Sequence, residues 1–138
     1  MLNWDRMLSF EGDTGAYLQY THVHLSSIKH RNPELLPLPA PSQLKTELLV
    51  EPPMCAIVFL LGSYPDVVKT APKTHELSGI VTFAFRLSHA ISSAWETVIV
   101  KGEADVEKGK ARMALDLAAR DVFGAALRLL SIWPLERM

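Results

Sequence analysis

The stretch from Glu76 to Val98 constrains the fold more than any other part of the chain. Ile80, Phe83, Ala84, Leu87, Ala90, Ile91, Ala94 and Val98 recur at spacings of three and four. That period is the apolar stripe of an amphipathic helix, sustained well past the length of an ordinary strand. A second stretch, from about Val106 to Ile132, repeats the pattern with Ala111, Leu115, Ala118, Val122, Ala125 and Leu129. Arg112, Asp116, Arg120 and Arg128 lie off the centre of that stripe, and its small residues predict close approach of a neighbouring helix. Two such segments already commit most of the core to helix packing.

The remaining segments read the same way. Asp13 or Thr14 can cap a helix that ends near Arg31, because the residue before Pro33 is pushed out of the helical region. The segment PELLPLPAP, residues 33–41, holds four prolines in nine positions and predicts an extended connection. A short helix from about Ser42 to Val50 follows. Pro52-Pro53 opens an apolar segment that should break at Gly62, and Tyr64-Pro65-Asp66 starts another short helix that ends before Pro72. TVIVK, from Thr97 to Lys101, is the one strand candidate, or else the end of the preceding helix. The expected architecture is all-α, a compact bundle of about five helices forming a single domain over residues 1–138.

Composition removes several classes of function. With 14 Lys plus Arg against 15 Asp plus Glu, the formal net charge is −1, so any polyanion must be held by a local patch rather than a global field. The single cysteine, Cys55 in MCAIVFLL, forbids an internal disulfide and is expected to be a buried thiol. The first residues lack the apolar core of a signal peptide, and the run from Met54 to Leu61 is far shorter than the roughly 20 residues that span a bilayer. These features predict a soluble intracellular chain, cytoplasmic with a mitochondrial location also open, and no membrane association. No nucleotide-binding glycine loop is present, the five histidines lack ligand spacing for a metal, and no cofactor is implied. The acidic pairs Glu103 with Asp105 and Asp116 with Asp121 read as solvated surface.

The first helix carries a face of a different kind. At about 100° per residue, Tyr17, Tyr20, His24, Ser27 and Arg31 share one arc, and Leu18, Thr21, Leu25 and Ile28 fill the arc beside it. The aliphatic arc belongs on the bundle. Spacing leaves two readings of the other: rings buried with wet hydroxyls, or tyrosines that stack on a base while Lys29 and Arg31 meet phosphate. His22 and His24 point about 160° apart and cannot act as a pair. His22 therefore reads as structural, and His89 as a satisfied histidine beside Arg86.

The wording of this segment resembles a known family. WDRMLSFEGDTGAYLQYTHVHLSSI is similar to the opening of the anticodon-binding domain of arginyl-tRNA synthetases, especially the fungal and other eukaryotic type, where SFEGDTGPYLQYAHxR recurs. The likeness continues through YPDVVKTAPKTHELSGIVTFAFRLSHAISSAWE and KARMALDLAARDVFGAALRLLSIWPLERM, nearly the whole chain. It implies a helical domain, often named for an Asp-Ala-Leu-Arg motif, that docks on the anticodon stem and loop of arginine tRNA. The resemblance places Tyr17, Tyr20 and Met138 beside the anticodon, and puts His24 where the family has arginine.

Several positions depart from the family pattern. Ala16 and Leu77 stand where prolines are usual, and Gly124-Ala125-Ala126 and Ser131 replace an Asn-Gly and Gly pattern. Nothing in these residues matches the HIGH-like and KMSKS-like signatures of a synthetase catalytic domain, so this chain alone is not expected to charge tRNA, whether it is a fragment or a stand-alone relative. The leading expectation is a non-catalytic tRNA-binding module. The alternative is a domain reused as a small-molecule enzyme or ligand-binding protein with a pocket near Tyr17, Tyr20 and His24, the three residues that would then carry catalysis. A homodimer that covers freed apolar surface is a third reading.

Overall fold

The computed structural model describes residues 15–74, 77–98 and 105–135. They form four α-helices: α1 Gly15–Arg31, α2 Pro52–Thr74, α3 Ser78–Thr97 and α4 Val106–Leu129. α2 packs most extensively on α3, and α1 on α4. Leu25 and Ile28 of α1, Met54 and Ile57 of α2, Phe83, Leu87 and Ile91 of α3, and Phe123 and Leu127 of α4 meet in the shared core. The expected α3 stripe is borne out, with Ile80, Phe83, Ala84, Leu87, Ile91 and Ala94 all buried.

Four helices among the described residues, rather than about five, follow from two corrections. The expected break at Gly62 does not occur, and α2 continues through both Pro65 and Pro72. A proline inside a helix removes one backbone hydrogen bond, but tertiary packing on a common face offsets that loss. Here Ile57 and Leu60 precede Pro65 and Val67 follows it in the core region, while the Tyr64 ring lies 5.2 Å from that of Phe83. By length and composition this helix, unlike the short run from Met54 to Leu61 read from the sequence, is long and apolar enough to cross a membrane, with 11% of its most apolar window buried; it carries Asp66, Lys69 and Lys73. The second correction concerns 42–50, where 3₁₀ turns at Pro41–Gln43 and Thr46–Leu48 replace the expected short helix. The proline-rich connection also begins with a 3₁₀ turn, Pro33–Leu35, and contains a cis Leu36-Pro37 bond. Thr97 ends α3 and Val98 is extended; the rest of the TVIVK candidate lies outside the described residues.

α4 is turned relative to expectation. Its buried positions include Arg112, Asp116, Ala119, Phe123, Gly124, Ala126 and Leu127, whereas Ala118 and Leu129 of the expected stripe are exposed. The expectation assumed that charged residues face water. Arg112 and Asp116 are instead 5% and 2% exposed, because Arg112 finds a partner across the bundle in Glu51, just before α2, which also pairs with Lys108 at 3.2 Å. Burial pushes the Glu51 carboxyl up, but the hydrogen bonds from Arg112, its own backbone and Lys108 outweigh this and hold it at about 2. Asp116 is dominated by burial, which raises it to about 7 against the opposing pull of Arg112. Asp121 does lie at the surface, beside Arg120.

The displaced stripe lines open space. Ala111, Ala114, Leu115 and Ala118 form one wall of an apolar groove of about 840 Å³, closed opposite by Leu44, Leu49, Val58 and Phe59. Cys55 also lines it and is exposed rather than buried, since it sits on the groove side of α2 while Met54 and Ile57 take the core side.

Both ends of α4 are closed locally. Asp105 caps its start, its carboxylate accepting from the amides of Glu107 and Lys108. At its end Ile132 N–H donates to Leu127 O at 2.9 Å and Ser131 N–H to Arg128 O at 3.0 Å. This is a Schellman closure, whose turning residue adopts the left-handed conformation. Ser131 does so, with φ 61°, at a position where the resembled family carries glycine.

Candidate nucleic-acid interface

The division of α1 into two arcs is realised. Leu18, Thr21, Leu25 and Ile28 are buried, and Tyr20 is 47% exposed. Tyr17 is half-buried, its hydroxyl 2.5 Å from Ser92 Oγ on α3 and its ring 5.8 Å from that of His89. Tyr17 therefore ties α1 to α3, and Tyr20 presents its ring to solvent. His89 is a surface residue whose ring lies against Tyr17.

His24 stands between Tyr20 and a residue that periodicity alone did not single out. Its ring is edge-on to Tyr20 at 6.1 Å and lies 3.7 Å from the Trp95 ring on α3. Burial, with a further contribution from the positive charge of Arg31, pushes the His24 imidazole below its ordinary value. It is therefore neutral at pH 7, with one donor and one acceptor. Both His24 Nδ1 and Trp95 Nε1 are buried without a hydrogen-bond partner among the described residues. Trp95 falls on the half-buried edge of the α3 stripe. Its signal in the sequence was a tryptophan one position after the buried Ala94, which places it beside the core face rather than opposite it.

Lys29, His30 and Arg31 close the last turn of α1 and are exposed. The structure thus brings Tyr17, Tyr20 and His24 together and places Lys29 and Arg31 at the end of the same helix. Met138 lies outside the described residues.

The opposite side of α1 holds the chain's C-terminal segment. Gln19 Nε2 donates to Trp133 O at 2.8 Å, and Leu135 N–H donates to Gln19 Oε1 at 2.9 Å. His22 is buried and its Nδ1 donates to Leu135 O at 2.6 Å. The structural role expected for His22 is this anchorage. The apolar groove between α2 and α4 is lined by none of Tyr17, Tyr20 and His24, and among the described residues no group of His, Cys, Asp and Glu could hold a metal.

Residues 18–138 match the DALR anticodon binding domain, and the chain belongs to that family. It is 45% identical over 135 residues to the cytoplasmic arginine–tRNA ligase of Saccharomyces cerevisiae, covering 98% of this chain and 22% of that protein. It is 32% identical over 136 residues to the probable mitochondrial arginine–tRNA ligase of Homo sapiens, covering 99% of this chain and 23% of that one. Among solved structures, Thermus thermophilus arginyl-tRNA synthetase superposes with a TM-score of 0.76 at 25% identity, over 95% of this chain and 22% of the other. The synthetase from Plasmodium falciparum superposes with a TM-score of 0.77 at 18% identity, over 99% and 23%, and shows the shared fold. The chain thus spans about a fifth of the length of the curated relatives it matches.

Proposed function

We propose that this domain binds arginine tRNA at its anticodon loop through the edge formed by α1 and α3. The observation that carries the reading is the run of rings Tyr20, His24 and Trp95, with a half-exposed tyrosine at its outer end. Tyr20 offers a stacking surface for an unpaired base. His24 and Trp95 back that ring from beneath, and Lys29 and Arg31 meet phosphate. Tyr17 acts by positioning α1 on α3, and Met138 would approach the same loop. Family membership and relatives named as arginine–tRNA ligases support tRNA as the partner, and the cytoplasm is the compartment we assign, by analogy with the yeast relative.

Binding is expected to be weak, with a shallow salt dependence, because a near-neutral domain has few phosphate contacts to release counterions. Titration of arginine tRNA, and of the same tRNA with a swapped anticodon, tests the reading. Tyr20→Ala should weaken binding by about tenfold, in line with roughly 1–3 kcal/mol per stacked base. Equal affinity for the two anticodons would remove specific recognition, and no binding at low salt would remove tRNA as the partner.

A further inference from the structure

Trp133 is the most exposed large apolar side chain among the described residues, at 79%. Its backbone, by contrast, is fixed on both sides. Upstream, Ile132 N–H closes the end of α4 on Leu127 O, and Ser131 takes the left-handed turn. At Trp133 itself the carbonyl accepts from Gln19, and Leu135, two residues on, is held by both Gln19 and His22. An indole is therefore held out in water on a stretch of chain whose backbone is hydrogen-bonded on both sides.

The surroundings of that ring decide what it contacts. Arg128, Ser131, Ile132 and Trp133 enclose a hollow of about 250 Å³, below the roughly 300 Å³ at which pockets for drug-sized ligands begin. Its walls offer an aromatic ring, a hydroxyl and a guanidinium. Ring and guanidinium together suit a nucleotide, the base stacked on indole and the phosphate paired with arginine. A purely apolar protein contact would leave the arginine desolvated. The side chain that holds Trp133 belongs to Gln19 of α1, next in sequence to Tyr20 but turned about 100° from it, so an RNA on the Tyr20 edge reaches the indole by passing round that helix.

We infer that Trp133 and Arg128 form a second nucleotide subsite, which takes one unpaired nucleotide of the same RNA. This rests on the tRNA reading above. The subsite recognises any base, because stacking on an indole and pairing with phosphate carry no sequence information.

The test titrates arginine tRNA and its anticodon-swapped counterpart against the full chain and its Trp133→Ala, Trp133→Phe and Arg128→Gln variants, each checked by its thermal melt. Trp133→Ala should weaken both tRNAs by the same factor, about fivefold or more, while Trp133→Phe keeps most of the affinity. Arg128→Gln should reduce the slope of log affinity against log salt by about one. Tryptophan emission present in the wild type and missing from Trp133→Phe should be quenched on saturation with tRNA, a readout independent of how well the alanine variant folds. Wild-type binding left unchanged by Trp133→Ala, with unquenched indole, overturns the subsite and spares the tRNA reading. A wild type that binds no tRNA overturns both, and a wild-type self-association that Trp133→Ala abolishes assigns the indole to protein contact.

Discussion

The imidazole of His22 fills the space that a side chain at Gly124 would need: a Cβ built there lies 3.2 Å from His22 Nε2. The ring has little room to yield, because its Nδ1 is bonded to Leu135 O. Replacing a helical glycine by alanine ordinarily stabilises by up to about 1 kcal/mol. Gly124→Ala should fall short of that gain, and the same substitution in a His22→Ala background should recover it. Chemical denaturation of the four proteins in the cycle measures the coupling; additive effects would show that the close approach carries no energy.

Ser131 holds a left-handed conformation without the freedom of glycine. Ser131→Gly should therefore raise stability, by about 1 kcal/mol, as a strained non-glycine residue is relieved. The rise is read as a higher denaturation midpoint at unchanged slope. A lower midpoint would mean that the serine side chain contributes more than its backbone costs.

Asp116 predicts an unusual pH dependence of stability. Its folded pKa of about 7 stands above the ordinary 3.8, so between those values the folded chain holds a proton that the unfolded chain has released. Stability then falls as pH rises from about 4 to about 7, by at most roughly 4 kcal/mol. Asp116→Asn should flatten that decline, which urea melts at pH 4.5 and 7.5 would show. Glu51 acts in a separate window with the opposite sign. Its carboxyl is held down at about 2, so its contribution is present above about 4.5 and is lost as pH falls towards 2.

His24→Arg restores the residue of the resembled family. The neutral imidazole offers one donor, whereas arginine offers five donors and a permanent charge, and it can still lie on the Trp95 ring. Affinity for arginine tRNA should rise by about tenfold, and discrimination against a swapped anticodon should rise with it. Filter binding at two salt concentrations separates the effects: a gain that is equal for both tRNAs and vanishes in salt would be charge alone.

The periodicity of α3 was legible because its charged residues lie away from the core. α4 was misplaced in rotation because Arg112 and Asp116, which composition assigns to the surface, are inside with Glu51 as a partner supplied from 61 positions away in sequence. No local pattern announces such a pairing. The same limit explains Trp95 and Trp133, whose positions depend on contacts with α1. Tyr20 and His24 could be placed on one arc from spacing alone, but the ring that completes their edge comes from another helix.

The clamp that Gln19 makes on Leu135 spans 116 positions. During synthesis the tyrosines of α1 leave the ribosome long before the segment that Gln19 and His22 will hold, so those two side chains must wait, unsatisfied and hydrated, until the end of the described chain has been made. Closing a loop of that size is slow compared with forming a helix. The far side of α1 is thus closed late in folding, and a nascent chain stopped short of Trp133 carries its tyrosines without the piece that locks the other face of their helix.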